Sequence, residues 1–374
     1  MSRFFDLVTG NVRSLPKYTP TTPVSHSRNQ GLPNCIHLAS NENPFGPSPS
    51  AIEAMAAVFK QCNLYPDDDA SELRFKLAEH HALPADRVLV TAGSTALLEI
   101  IARTLLGPGL NAVTSELTFI VYGMAVQAAG GELIRVPLRN YSFDLDGIAA
   151  AVNSQTRLVL IANPNNPTGT VIPADVMDHF IATLPPEIVV IIDEAYYDYA
   201  QFLATQSRVH YSQSLDYVRQ NRNVVVLRTF SKAHGLAGVR VGYGLGPAEL
   251  LGYFARLRST FSISQVAQAA ALAAMDDMEH VRKAVMNNYD QARRLAAGME
   301  VLGFRVNPSW ANFLYAEIRD DAKALANRLK EEGVLIRSLK AWGAPEAIRV
   351  TIGSPKQNEI FLAALRKVTV GSKA

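Results

Sequence analysis

The sequence predicts an α/β protein: a large domain with a mostly parallel sheet covered by helices, plus a smaller α+β domain completed by the N-terminal arm. Three observations predict it. Runs such as Arg157-Leu-Val-Leu-Ile-Ala162 and Ile188-Val-Val-Ile-Ile192 are short, apolar throughout and rich in branched residues, as strands buried on both faces are. Helical patterns alternate with them. From about residue 276 the texture changes to one long amphipathic segment followed by short strands of alternating character.

Taken in order, the first forty residues read as an arm, because Pro16, Pro20, Pro23 and Pro33 break any helix there. A helix starts near Ser50, where Ser50 and Glu53 form a capping-box pattern and Ile52, Met55, Ala56 and Phe59 recur at helical spacing. Arg87–Thr91 reads as a strand and Ala96–Leu106 as a helix; Arg157–Ala162, Ile188–Ile192 and Val224–Leu227 are further buried strands. Val281, Val285, Tyr289, Ala292, Ala296 and Met299 share one stripe of a long helix. In Ile348-Arg-Val-Thr-Ile352, Arg349 and Thr351 face away from the apolar residues. The last helix has Ser354 as cap, Pro355 at its first position and Gln357 at its third. At roughly 150 residues per domain, 374 residues suggest two. The expected division is 1–45 as an arm joining the small domain, 46–265 as the large domain and 266–374 as the small one.

The net charge, 36 − 34 = +2, is too balanced for an electrostatic nucleic-acid or membrane-surface binder. Cys35 and Cys62 form neither a disulfide framework nor a zinc spacing, and no metal is expected. The start, Met1–Asp6, lacks the apolar core of a secretory signal, and no apolar run has bilayer-spanning length. The expected location is the cytoplasm.

Polar residues cluster where the buried strands end, which is where ligand sites lie in parallel α/β sheets. Gly93-Ser94-Thr95, at a helix start, offers free N–H groups for an anion, although by itself it equally reads as a capped turn. Asn163-Pro-Asn-Asn-Pro-Thr-Gly169 is a rigid loop that fixes Asn166 at a sheet end. Asp193 closes an apolar strand, either as a cap or as the holder of a buried cation. Lys232 follows Val224–Leu227 within a small-residue loop, where an amine of lowered pKa could act as a nucleophile, and Arg240 adds a planar cation suited to phosphate. An imine-forming amine, a carboxylate for a pyridinium nitrogen, partners for a phenolate oxygen and phosphate ligands together describe a pyridoxal-phosphate site.

These motifs resemble those of the histidinol-phosphate aminotransferase family, within the fold type I pyridoxal-phosphate enzymes. The resemblance runs over nearly the whole chain. It rests on Leu38-Ala-Ser-Asn-Glu-Asn-Pro-Phe-Gly-Pro-Ser-Pro49, Tyr65-Pro-Asp67, Asn163–Gly169, Asp193-Glu-Ala-Tyr196, Leu227-Arg-Thr-Phe-Ser-Lys-Ala-His-Gly-Leu-Ala-Gly-Val-Arg240 and Arg349-Val-Thr-Ile-Gly353. It implies that Lys232 binds the coenzyme covalently and later moves a proton. It implies that Asp193 pairs with the pyridine nitrogen, an opposite charge shifting a pKa by roughly 1–3 units. Tyr196 and Asn166 match partners of the ring oxygen, and Thr229, Ser231 and Arg240 match phosphate ligands, with Ser94 and Thr95 as helix-start donors. Tyr122 matches the aromatic that stacks on the ring. Tyr65 matches a tyrosine reaching the neighbouring subunit's coenzyme, which implies a homodimer. For the substrate, Arg349 matches the carboxylate-binding arginine, Arg337 matches a phosphate-binding one, and Tyr18 and Asn41 line the substrate end.

The chain departs from the common pattern at Thr95-Ala96, where an acidic pair is frequent, at Leu117 in place of proline, and at His234 in place of phenylalanine. Trp342 and Pro345 lie in the loop between the two arginines. The activity implied is transamination between glutamate/2-oxoglutarate and histidinol phosphate/imidazole-acetol phosphate. An aromatic amino-acid aminotransferase is the alternative enzyme, and a phosphothreonine decarboxylase is a more distant relative. A non-catalytic coenzyme-binding protein of this fold is the alternative from another class.

Overall fold

A computed structural model describes residues 4–17, 35–318 and 320–370. Its largest element is a seven-stranded sheet in the order β2-β8-β7-β6-β5-β3-β4. The strands are β2 (Val88–Thr91), β3 (Asn111–Ser115), β4 (Glu132–Val136), β5 (Thr156–Ala162), β6 (Val189–Asp193), β7 (Val224–Thr229) and β8 (Gly242–Leu245). Only β8 runs antiparallel to its neighbours. The predicted strands at 87–91, 157–162, 188–192 and 224–227 are β2, β5, β6 and β7, and the predicted helix at 96–106 is Ser94–Leu105. Strands β6 and β7 bury nearly every residue, which is why their sequences show no alternation.

Register positions the site. Ala162, Asp193 and Leu227 form one row across β5, β6 and β7. The residues that follow each of them therefore emerge along one carboxyl edge. Behind that edge, Arg228 Nε and Nη2 donate to Glu194 Oε2 at 3.0 and 2.8 Å, joining the ends of β6 and β7.

A second, antiparallel sheet has the order β12 (Arg337–Ser338), β13 (Ala347–Thr351), β10 (Phe313–Glu317), β9 (Arg305–Asn307). Ile348 and Val350 of β13 join Leu295, Met299, Phe361 and Leu365 in a separate core. Burying each such side chain contributes about 1.5–3 kcal/mol. The helices Met278–Val301 and Pro355–Val370 supply this core. Ser354 caps the latter as expected: Gln357 N donates to Ser354 Oγ, and Ser354 N to Gln357 Oε1.

One expectation, a helix cap, changes. The helix at Pro49–Val58 is capped by Ser48, not Ser50. Ser48 Oγ accepts from Ala51 N, Pro49 takes the first helical position, and the Ser50 hydroxyl donates to Asp277. We propose that the arm is shared between the two units. Ile36–His37 (β1) pairs in parallel with Val334–Leu335 (β11), but Asn11 Nδ2 donates to Ala128 O on the large sheet's helix Val121–Ala128. The expected boundary at 265/266 falls just inside the helix Gln265–Asp276, whose Ala267, Ala270, Ala271 and Ala274 pack in the larger core. We propose that the division lies past Asp276. Among the described residues, no helix is long and apolar enough to cross a membrane.

Candidate active site

The carboxyl edge of β5–β7 opens into a cavity of about 280 Å³. Lys232, Asp193, Tyr196, Asn166, Ser94, Thr95, Thr229, Ser231, Arg240, Asn41, Arg337 and Arg349 all line it. The half-buried Lys232 Nζ donates to the Ser40 carbonyl at 3.1 Å. Burial lowers its pKa to about 8, and the nearby Arg349 charge acts in the same direction. A neutral amine is therefore accessible near physiological pH.

Asp193 is 5% exposed. Its Oδ1 accepts from Ala195 N at 3.2 Å and its Oδ2 from the Tyr122 hydroxyl at 3.2 Å. Burial pushes the carboxyl up to about 6 despite these donors. Its neighbour Glu194 has Arg228 as counter-ion. Among the described residues Asp193 has no ion-pair partner. A buried carboxylate of this kind is costly unless a cation faces it.

The Tyr196 hydroxyl oxygen accepts from Asn41 Nδ2 at 2.8 Å and from Asn166 Nδ2 at 3.1 Å. Burial pushes this phenol up to about 12. Asn166 Oδ1 in turn accepts from Arg349 Nη1 at 2.6 Å, and Arg349 Nη2 donates to Ala39 O at 2.8 Å. Arg337 and Arg349 are paired residues on β12 and β13, so two guanidinium-bearing strands meet at one end of the cavity.

Hydroxyls, a guanidinium and a helix start converge on the opposite end of the cavity. The Thr229 hydroxyl donates to Ser231 Oγ at 3.0 Å, and Arg240 Nη1 lies 3.5 Å from the same oxygen. The helix Ser94–Leu105 begins opposite, after Gly93 at φ +88°. A Cβ at Gly93 would fall 2.4 Å from Arg240 Nη2, so glycine lets the guanidinium lie against the helix start.

Tyr122 is not where its expected role requires. It lies inside the helix Val121–Ala128, is 1% exposed and does not line the cavity. The aromatic on that wall is Phe119, which precedes the helix. We propose Phe119 as the stacking residue, with Tyr122 supporting Asp193 from the core side. Tyr65 is 81% exposed, stacks on Phe261 at 4.5 Å and does not line this cavity. Tyr18 lies outside the described residues. His234 packs its ring on Phe230 at 4.9 Å. Glu42 also lines the cavity, with His37 Nδ1 at 2.8 Å. It stands between Asn41 and Asn43 in the motif that carries the resemblance, and only the fold brings its carboxylate to Lys232.

The model of the family described as aminotransferase class I and II matches residues 33–365, and that is the class the fold and site define. A histidinol-phosphate aminotransferase of Moorella thermoacetica is 39% identical over 359 residues, covering 96% of this chain and 92% of that protein. The Pseudomonas aeruginosa histidinol-phosphate aminotransferase 2 is 41% identical over 371 residues, 98% of this chain and 99% of that one. The solved histidinol-phosphate aminotransferase of Sinorhizobium meliloti, a complex with pyridoxal 5'-phosphate, superposes with a TM-score of 0.89 at 28% identity. That match covers 100% of this chain and 99% of the other. The chain belongs to the class I and II aminotransferase family, among its histidinol-phosphate aminotransferases.

Proposed function

We propose that this chain is a pyridoxal-phosphate-dependent aminotransferase that exchanges an amino group between glutamate/2-oxoglutarate and histidinol phosphate/imidazole-acetol phosphate. The observation that carries it is the pairing, in one cavity, of an amine with lowered pKa and a buried carboxylate that makes no ion pair among the described residues. The donor set fits the coenzyme. Asp193 would hold its pyridinium nitrogen, Tyr196 and Asn166 its ring oxygen, and Lys232 would anchor it. Arg240, Ser231, Thr229 and the helix start at Ser94 and Thr95 would hold its phosphate. Bound there, pyridoxal phosphate supplies the electron sink for negative charge developing at the substrate α-carbon.

The protein's own groups perform the remaining work. Lys232 Nζ, neutral above about pH 8, takes and returns a proton within the cavity. Tyr122 and the Ala195 amide both donate to Asp193 and favour its ionised form. Arg349, held by Asn166 and Ala39, presents a fixed cation for a carboxylate, and Arg337 offers a second for a phosphate. Two anion sites on paired strands suit a substrate set in which one partner carries a carboxylate and the other a phosphate. Tyr18 and Asn41 are assigned to the substrate end with them.

Phe119, Ile120 and Trp342 give the cavity an apolar wall, which also suits an aromatic amino acid. Turnover of histidinol phosphate against phenylalanine, each with 2-oxoglutarate, separates the two: the reading requires a clear preference for the phosphorylated amine. The acting form is a homodimer in this proposal, because the exposed Tyr65 can serve coenzyme only in a neighbouring subunit. The proposed location is the cytoplasm, which suits a small-molecule biosynthetic enzyme.

A further inference from the structure

A second cavity, of about 110 Å³, adjoins the first, and Phe119, Ile120 and Trp342 line both. No role in the transamination calls for it. It sits where the ends of β3 and β4 meet the short 3-10 helix Lys340–Trp342. Its polar inventory is one-sided. The Thr114 hydroxyl already donates to Leu160 O, the Thr118 hydroxyl to Asn165 Oδ1 and the Tyr122 hydroxyl to Asp193. Three donors remain. The Ser115 hydroxyl is buried, in a residue 1% exposed, and has no hydrogen-bond partner among the described residues. The Trp342 Nε1–H is buried and equally without an acceptor. The Arg135 guanidinium lies so close to Gly123 that a Cβ there would sit 2.8 Å from Nη2. It makes no ion pair among the described residues. Among the described residues, no carboxylate lines the cavity.

Buried polar groups left without partners carry a cost, and here two of them border the same space beside an unpaired cation. A single water can accept from only part of such a set. A tetrahedral oxyanion offers several acceptor atoms and balances the guanidinium charge. The volume, about three to four times the share of one water in the liquid, is enough for it. We infer that Ser115, Trp342 and Arg135 form a binding site for a free oxyanion of the phosphate or sulfate class, separate from the coenzyme and substrate anion sites.

The two tryptophans of the chain, Trp310 and Trp342, make the test direct. In coenzyme-loaded Trp310→Phe protein, Trp342 is the sole indole, and the coenzyme's own phosphate fills the Arg240 cradle. Inorganic phosphate is titrated at ionic strength held constant with chloride. The inference expects a saturable change in Trp342 emission. Arg135→Gln and Ser115→Ala each raise the apparent Kd by about tenfold or more. Arg135 is exposed, so its replacement tests the site without disturbing the core. Absence of a saturable response means that water alone occupies the cavity and overturns the inference. So does a response indifferent to Arg135, which assigns the phosphate to the substrate end.

Discussion

Replacing Lys232 by methionine keeps the length of the side chain and removes its charge. In the folded protein without coenzyme, the ammonium is disfavoured because burial and Arg349 lower its pKa from 10.5 to about 8. At 1.36 kcal/mol per unit, that difference of about 2.5 units corresponds to about 3 kcal/mol acting against the native state at pH 7. The variant loses the bond to Ser40 O, worth about 1 kcal/mol. A net gain of about 2 kcal/mol remains. With an unfolding entropy of about 2.1 cal/mol/K per residue, this raises Tm by about 2–3 °C. The sign with pH follows from proton counting. Between the folded pKa near 8 and the unfolded 10.5, the unfolded lysine holds a proton that the folded one lacks. Wild-type stability therefore rises with pH relative to the variant, and the variant's advantage disappears by about pH 10.5. Thermal unfolding of both coenzyme-free proteins from pH 7 to 10 measures it. A Tm difference independent of pH, or a destabilised variant at pH 7, refutes the reasoning.

Tyr122→Phe removes one donor to Asp193 and moves that carboxyl further above 6. Pyridoxal-phosphate affinity should fall about tenfold at pH 6 and recover toward pH 8.5, as read by equilibrium titration; an equal loss at every pH contradicts the assignment. Gly93→Ala places a Cβ 2.4 Å from Arg240 Nη2 at a backbone angle that favours glycine. Coenzyme Kd should rise about tenfold or more, and an unchanged Kd removes Arg240 from the phosphate cradle. Arg337→Ala should raise KM for histidinol phosphate by about ten- to a hundredfold while altering KM for phenylalanine little. Equal losses count against a phosphate role.

The strands that build the carboxyl edge were legible because burial on both faces leaves an uninterrupted apolar run, as in Leu158–Ala162. Strand β3 was not, because Asn111 and Thr114 are polar. They are satisfied only by distant partners: the Thr156 hydroxyl donates to Asn111 Oδ1 at 2.7 Å, and the Thr114 hydroxyl to Leu160 O. Strand β8, Gly-Tyr-Gly-Leu, contradicts strand propensity. Gly242 is there because a Cβ would meet Ser94 N at 2.6 Å, a contact between elements far apart in sequence. In the site, Lys232, Asp193, Tyr196, Asn166 and Arg240 stand in motifs long enough to be aligned residue by residue. Phe119 and Tyr122 are both aromatic and three positions apart, so the motif alone does not say which one meets the cavity. That depends on where the helix at Val121 begins. The charge state of Asp193 was equally hidden, since it depends first on a burial that only the assembled fold sets, and then on the Tyr122 and Ala195 donors.

The amine at position 232 is the group on which coenzyme attachment turns. Borohydride reduction of the pyridoxal-phosphate-loaded enzyme, followed by peptide mapping by mass spectrometry, reads it directly. A stable phosphopyridoxyl adduct is expected on Lys232, stoichiometric with bound coenzyme and absent from Lys232→Met. An adduct on another lysine, or none on Lys232 when the coenzyme is bound, contradicts it.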